Sequence, residues 1–166
     1  MAEKDQISKE QFTHDGLMDF RGFYSFAHRW LREEEYGVSE DKYSEKVSGN
    51  SKDITAEWKA VRKLSDYFKI EVKIEIRVWG LTDVEVTIDG QKKKMNKGRM
   101  EVKITGVLVK DWDSKWETST FSRFMRDVYN KYIIPARVDA MEDKVRGEMI
   151  RLKEEIKGFL ELTGKR

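Results

Sequence analysis

The strongest pattern in the chain is an alternation of apolar and charged residues over residues 68–78, FKIEVKIEIRV. Apolar side chains hold the first position and every second position after it, and Lys, Glu or Arg holds each position between. This period of two predicts an antiparallel strand with one face in the core and the other in water. Val84, Val86 and Ile88 repeat the alternation, and Asp89 with Gly90 predicts a hairpin turn after them.

Weaker strand patterns lie on both sides of this hairpin. They cover residues 43–48, 54–60 and 92–95, and a strand from residue 100 through 108 toward Trp112. Gly49 with Asn50 predicts one turn, residues 96–98 predict another, and Gly106 predicts a bulge. A helix running from residue 54 through Leu64 is the alternative for the second of these strands. Short connections favour pairing between sequential strands, so we predict a meander of five or six.

Three segments have the three- and four-residue spacing of an amphipathic helix. The first begins after Asp19, a predicted N-cap, and is predicted to stop at Gly37. The second follows Ser119 and ends before Pro135, because proline disfavours the helical conformation in its predecessor. The third carries its apolar stripe over residues 138–159.

The predicted fold class is therefore α+β. It has an N-terminal helix, an antiparallel meander sheet of five or six strands, and two C-terminal helices that pack on one sheet face. Residues 1–17 have no sustained period and are predicted to be a flexible or lightly docked arm. Residues 18–166 are predicted to form a single α+β domain.

Composition narrows the classes of function. With 33 basic and 31 acidic residues, the net charge of +2 provides no overall field that would hold a polyanion or an anionic membrane. The chain has no cysteine and two histidines, which leaves little for a metal site, and no cofactor is expected. The polar N-terminus and the absence of a long apolar run predict a cytoplasmic protein without integral membrane association.

One cluster of basic residues surrounds the predicted turn at residues 96–98. Its members are Lys92, Lys93, Lys94, Lys97 and Arg99, which we call the basic hairpin. Such a cluster can contact phosphates without reading sequence, and that predicts a nucleic-acid site. The alternative is a solvated hairpin whose lysines protect a strand edge from aggregation.

Five tryptophans form a second group of candidates. Trp30 and Trp58 lie on predicted apolar faces and are expected in the core. Trp79, Trp112 and Trp116 lie in polar surroundings, so they are candidates for an exposed contact with a partner, with corner packing as the alternative.

The last helix is a third candidate for partner binding. Its predicted length could exceed the width of the sheet, which would leave Ile156 and Phe159 to pack on another subunit. The alternative is that both residues pack on the sheet of their own chain.

Two stretches resemble a family of uncharacterised conserved archaeal proteins. They are KMNKGRMEVKITG at residues 94–106 and NKYIIPARVDAMEDK at residues 130–144, and the resemblance extends from Gly16 onward. It implies a cytoplasmic archaeal protein. It carries no activity, cofactor, partner or functional residue to this chain.

Common nucleotide-binding, metalloprotease and serine-hydrolase motifs do not occur in the sequence. We therefore predict a protein that is not an enzyme, and that acts as a protein-interaction or structural domain and self-associates. Acidic residues concentrated over residues 33–45 could dock against the basic hairpin of another copy. The alternatives are nucleic-acid binding through the basic hairpin, and a cup of sheet and helices that holds an apolar ligand or lipid.

Overall fold

A computed structural model describes residues 3–65, 67–110, 124 and 135–164 of the chain. Five strands and two helices are described, in the order β1 (Glu3–Met18), α1 (Phe20–Glu33), β2 (Gly37–Ser48), β3 (Ser51–Lys63), β4 (Phe68–Ile88), β5 (Gln91–Lys110) and α2 (Pro135–Gly164). The strands form one antiparallel sheet in the order β1-β5-β4-β3-β2. The α+β class and the antiparallel sheet are confirmed, and β2 to β5 form a meander.

Residues 68–78 form an antiparallel strand with one face in the core, as predicted, and this strand, β4, is the middle one of the five. The apolar side chains of this segment are buried beneath the two helices, and its charged side chains lie on the opposite face. There Glu71 lies within 4 Å of Lys4, Lys59 and Lys69, which come from three different strands. These ammonium groups outweigh the burial that raises the pKa of Glu71, so the pKa lies below its ordinary value.

The long hairpin continues beyond this segment. β4 has an irregularity between Trp79 and Thr82 and then runs on to Ile88, and Asp89 and Gly90 turn the chain with positive φ angles of 51° and 79°. The turn predicted at residues 96–98 is wrong, because β5 runs through this segment without interruption. Asn96 pairs there with Asp83 of β4, and that long-range pairing decides against the local turn signal.

The N-terminal segment differs most from the prediction. A flexible or lightly docked arm was expected over residues 1–17, whereas residues 3–18 form β1 and pair along β5. β1 lacks an apolar period because only Phe12 and Met18 are buried hydrophobics in it. Glu10 of this strand instead lies 3.6 Å from Lys153 of α2. Pairing with a distant strand therefore orders a segment whose own sequence gives no strand signal.

Gly106 allows α2 to approach the sheet. A Cβ atom at this position would lie 2.7 Å from Cγ of Met149 and 2.9 Å from Cγ1 of Val145. The bulge predicted at Gly106 lies in the neighbouring strand instead, between Gln6 and Ser8 of β1. Gly106 is therefore a packing glycine, and its missing side chain explains its place in the sequence.

Helix α1 begins where the sequence predicts. The carboxylate of Asp19 accepts a hydrogen bond of 3.0 Å from the backbone N–H of Gly22, which is the expected N-cap contact. The helix ends at Glu33 rather than at Gly37, because Glu35 takes a left-handed conformation with φ of 69°. Of the helix predicted after Ser119, only Phe124 lies among the described residues, where it is helical and exposed.

A buried polar cluster joins α2 to the rest of the fold. The guanidinium of Arg62 on β3 lies 2.7 Å from the carboxylate of Glu148 on α2, and both side chains are largely enclosed. Arg62 also donates to the carbonyl oxygen of Glu34, and the hydroxyl of Tyr36 donates to Glu148. Burial and the contact with Glu148 raise the pKa of Tyr36. This cluster fixes α2 against β3 and the end of α1.

Candidate functional site

A groove of about 700 Å³ lies between the first half of α1 and the strands beside it. We call it the α1 groove. Three aromatic residues, two further apolar residues and a set of polar and charged side chains line it: Asp19, Phe20, Arg21, Tyr24, Ser25, Glu40, Tyr43, Glu45, Lys52, Leu81, Asp83, Lys94, Met95 and Asn96. The volume falls within the range of about 300–1,000 Å³ that is usual for small-molecule sites.

The side chain of Asn96 fixes the start of α1 over the sheet. Its Oδ1 accepts a hydrogen bond of 3.2 Å from the backbone N–H of Phe20, and its Nδ2 donates to Asp83 at 2.8 Å. A helix begins with N–H groups that have no partner within the helix, so this amide satisfies one of them. The groove therefore has a fixed geometry at the end nearest the helix start.

Tyr24 and Tyr43 form an aromatic wall of the α1 groove. Their rings meet edge to face with centroids 6.1 Å apart and an interplanar angle of 86°. The phenolic oxygen of Tyr24 accepts a hydrogen bond of 2.9 Å from the indole N–H of Trp58, which is fully buried as predicted. A rigid core residue thus positions one tyrosine, and that tyrosine supports the other.

Tyr43, Glu45 and Lys52 form a hydrogen-bonded row beside this wall. Tyr43 and Glu45 are two residues apart on β2, so their side chains share a face of the strand. The Tyr43 hydroxyl donates to Oε1 of Glu45 at 2.6 Å, and Nζ of Lys52 lies 3.5 Å from the same oxygen. The hydrogen bond from Tyr43, followed by the charge of Lys52, lowers the pKa of Glu45 despite a small effect of burial.

Protonation of the two tyrosines is stabilised. Burial raises the pKa of Tyr24 to about 12, and the nearby carboxylate of Glu40 adds to that effect against the hydrogen bond from Trp58. Burial and the acceptor Glu45 also raise the pKa of Tyr43. Both phenols are therefore neutral hydrogen-bond donors near neutral pH, while Glu45 is an anion.

The basic hairpin is more dispersed than the sequence suggested. Lys92, Lys93 and Lys94 lie near the β4–β5 turn and are exposed, while Lys97 and Arg99 lie further along β5. Two members have acidic neighbours: Lys92 lies 3.7 Å from Glu85, and Arg99 lies 3.9 Å from Asp15. Only Lys94 of the five lines the α1 groove.

Trp79 is the one exposed tryptophan among the described residues, with 40% of its surface exposed. It lies directly across from Arg99 in the β4–β5 register, so the structure brings these two predicted residues together. Trp30 is half-buried against the core. Trp112 and Trp116 lie outside the described residues.

The two candidates on the last helix pack within their own chain. Ile156 is buried in the core, and the ring of Phe159 stacks on Phe26 of α1 with centroids 4.9 Å apart. Ile156 therefore packs in its own chain, as the alternative predicted, whereas contact of the half-buried Phe159 with another subunit stays a prediction. α1 covers this end of α2 and packs on Phe159, whereas Val145 and Met149 of the same apolar stripe pack on the sheet at Gly106.

The sequence did not indicate the α1 groove. Its residues come from five separate segments, the start of α1 and one stretch in each of β2, β3, β4 and β5, which only the fold brings together. Each segment has an ordinary local role such as helix start or strand position. The one usable signal was Tyr43, which is the single aromatic residue of the mostly polar strand β2.

Comparison with known proteins gives no family for this chain. No family model matches it, and no curated protein matches it at a significant level. The resemblance to an archaeal family therefore stays a prediction. Within the described residues, no three His, Cys, Asp or Glu side chains form a group that could hold a metal ion. Neither described helix is both long enough and apolar enough to cross a membrane.

Proposed function

We propose that the protein is a non-catalytic binding domain that holds a small molecule in the α1 groove. The observation that carries this proposal is the combination, in one groove of about 700 Å³, of an aromatic wall and a polar margin. Small-molecule sites generally have this composition, in which apolar surface provides affinity and a few polar groups fix orientation.

The protonation equilibria in the groove support binding rather than acid–base catalysis. A general acid or base works best when its pKa lies near the working pH. The pKa of Tyr24 is raised to about 12, and the pKa of Glu45 is lowered, so both shifts lead away from neutral pH. These groups are therefore suited to hydrogen bonding and not to proton transfer.

A neutral aromatic dye, N-phenylnaphthylamine, tests this proposal by fluorescence titration. We expect saturable binding with one site per chain. Tyr43→Ala removes part of the aromatic wall and should weaken binding about five- to tenfold. Trp79→Ala is a matched control, because Trp79 is 40% exposed, Tyr43 is 44% exposed, and only Tyr43 lines the groove.

The control variant should bind the dye as the unchanged protein does. The proposal is wrong if the dye does not bind, or if Trp79→Ala weakens binding as much as Tyr43→Ala. Both side chains are exposed, so neither substitution should unfold the protein, and circular dichroism checks this.

Self-association remains a second proposal, and one observation favours it. β2 forms an end of the described sheet, and its residues are exposed except for Val38, which is half-buried. A strand with a free edge can pair with another chain. Against this, the register irregularity near Asp41 and the lysines of β2 are features that discourage such pairing. Sedimentation velocity at rising protein concentration tests self-association. A protein that stays monomeric at the highest concentration, whatever the salt, would exclude it.

The other hypotheses rank below these. The acidic segment over residues 33–45 is partly neutralised within the chain, since Glu34 lies 2.7 Å from Arg151 and Glu33 lies 4.0 Å from Arg29. Buried side chains such as Met149 and Leu152 fill the space between α2 and the sheet. A cup that holds a lipid between them is therefore a weaker hypothesis than the α1 groove. Nucleic-acid binding through the basic hairpin stays a prediction.

A further inference from the structure

The acidic groups of the α1 groove already have partners within the protein. Asp83 accepts a hydrogen bond from Asn96, and Asp19 accepts one from the backbone of Gly22. Glu45 contacts both Tyr43 and Lys52, and Glu40 interacts with the hydroxyl of Tyr24. A cationic ligand would have to compete with these contacts for a carboxylate.

Two basic groups of the groove are in a different situation. Arg21 extends from the first turn of α1 and Lys94 from β5, and both line the groove and are exposed. Within the described part of the chain, neither side chain makes an ion pair or a hydrogen bond with another residue. Lys52, the third basic residue of the groove, lies 3.5 Å from Glu45. The four acidic residues of the groove outnumber its three basic ones, but Arg21 and Lys94 are the two charged side chains of the groove that have no hydrogen-bonding partner among the residues that the structure describes.

We propose that the α1 groove, if it binds small molecules as inferred above, selects a ligand with an anionic group on a planar apolar ring. The ring packs on Tyr24 and Tyr43, and the anionic group, a carboxylate, sulfonate or phosphate, lies between Arg21 and Lys94. An anion gains two charge-assisted contacts and displaces no existing ion pair. A neutral ring of the same size gains only the aromatic contact.

Two dyes with nearly the same rings separate these contributions. Anilinonaphthalene sulfonate carries a sulfonate, whereas N-phenylnaphthylamine is neutral. We expect the sulfonate dye to bind the protein about three- to tenfold more tightly at low salt, and this preference should decrease as salt is added. In the double variant Arg21→Gln with Lys94→Gln, the preference for the sulfonate dye over the neutral dye should fall to about onefold to twofold, because both positive charges are removed.

The matched control is the double variant Arg29→Gln with Lys92→Gln. It removes one positive charge from the same helix and one from the same strand, at residues that do not line the groove. This control should keep the preference for the sulfonate dye. The inference is overturned if the variant of Arg21 and Lys94 keeps the preference, or if the control loses it to the same extent.

The two proposals fail in different ways. If the neutral dye binds in a manner that depends on Tyr43 but the sulfonate gives no advantage, the groove is a binding site and only the ligand class is wrong. If neither dye shows dependence on Tyr43, the binding function itself is wrong. All four basic side chains are exposed, so circular dichroism should show that the variants remain folded.

Discussion

The indole N–H of Trp58 lies 2.9 Å from the phenolic oxygen of Tyr24, so a fully buried tryptophan fixes a side chain in the wall of the α1 groove. The two rings also meet nearly perpendicular, with centroids 4.6 Å apart. The hydrophobic core and the candidate site are thus joined by one hydrogen bond, and changes on either side should affect the other.

We expect Tyr24→Phe to lower the free energy of unfolding by about 1–3 kcal/mol, because the indole N–H would remain buried without an acceptor. Tyr43→Phe is the comparison, since the hydroxyl of Tyr43 bonds at the surface to Glu45 and its loss should cost less than about 1 kcal/mol. Urea unfolding followed by tryptophan fluorescence measures both. Equal effects would contradict the role assigned to Trp58.

Stability should also depend on Tyr24 at high pH. Its pKa is about 12 in the folded protein, whereas an unfolded tyrosine titrates near 10. The contribution is fully present below pH 10 and is lost as the pH rises toward about 12, because the unfolded chain releases the proton first. Urea unfolding between these limits should therefore show a steeper loss of stability in the unchanged protein than in Tyr24→Phe. Parallel curves of stability against pH for the two proteins would contradict the raised pKa of Tyr24.

Removing one member of the ion pair between Arg62 and Glu148 should lower the free energy of unfolding substantially. Glu148→Gln leaves a largely enclosed guanidinium without its carboxylate, and we expect a loss of about 2–4 kcal/mol in the free energy of unfolding. Glu142→Gln on the same helix is the control, because its partner Arg146 is about half exposed and the loss should stay below about 1 kcal/mol. If both substitutions cost the same, the cluster does not fix α2.

The two glycines Gly106 and Gly147 should respond in opposite directions to alanine. Gly106→Ala places a methyl group against Val145 and Met149, so we expect a loss of about 1–3 kcal/mol in the free energy of unfolding. Gly147 lies within α2 and has open space around it, so Gly147→Ala should raise stability by about 0.5–1 kcal/mol. Thermal unfolding measures the stability of both variants. A Gly106→Ala variant more stable than the unchanged protein would contradict the close packing of α2 on the sheet.

The sequence predicted those parts of the fold whose pattern is local. The alternation over residues 68–78, the N-cap at Asp19 and the turn at Asp89 each depend on neighbours in the chain, and the structure confirms them. β1 was missed because its order comes from pairing with β5, and the continuity of β5 at Asn96 was missed because its partner is Asp83 of another strand.

The α1 groove could not be predicted for the same reason. Tyr24, Tyr43 and Lys94 belong to a helix and two strands that do not lie next to each other in the sheet. Their proximity depends on where α1 crosses the sheet, and Asn96 determines that position through a contact 76 residues distant in sequence. A single sequence contains no local trace of such a contact.

Backbone amide NMR spectra of the full chain, recorded during a titration with anilinonaphthalene sulfonate, show directly whether a ligand binds in the α1 groove. We expect the shifted amides to cluster at the start of α1 and in the parts of β2 and β5 near Tyr43 and Lys94. Shifts that instead centre on Trp79 and Arg99, on the opposite side of the hairpin, or that spread evenly over the sheet, would contradict a binding site in the α1 groove.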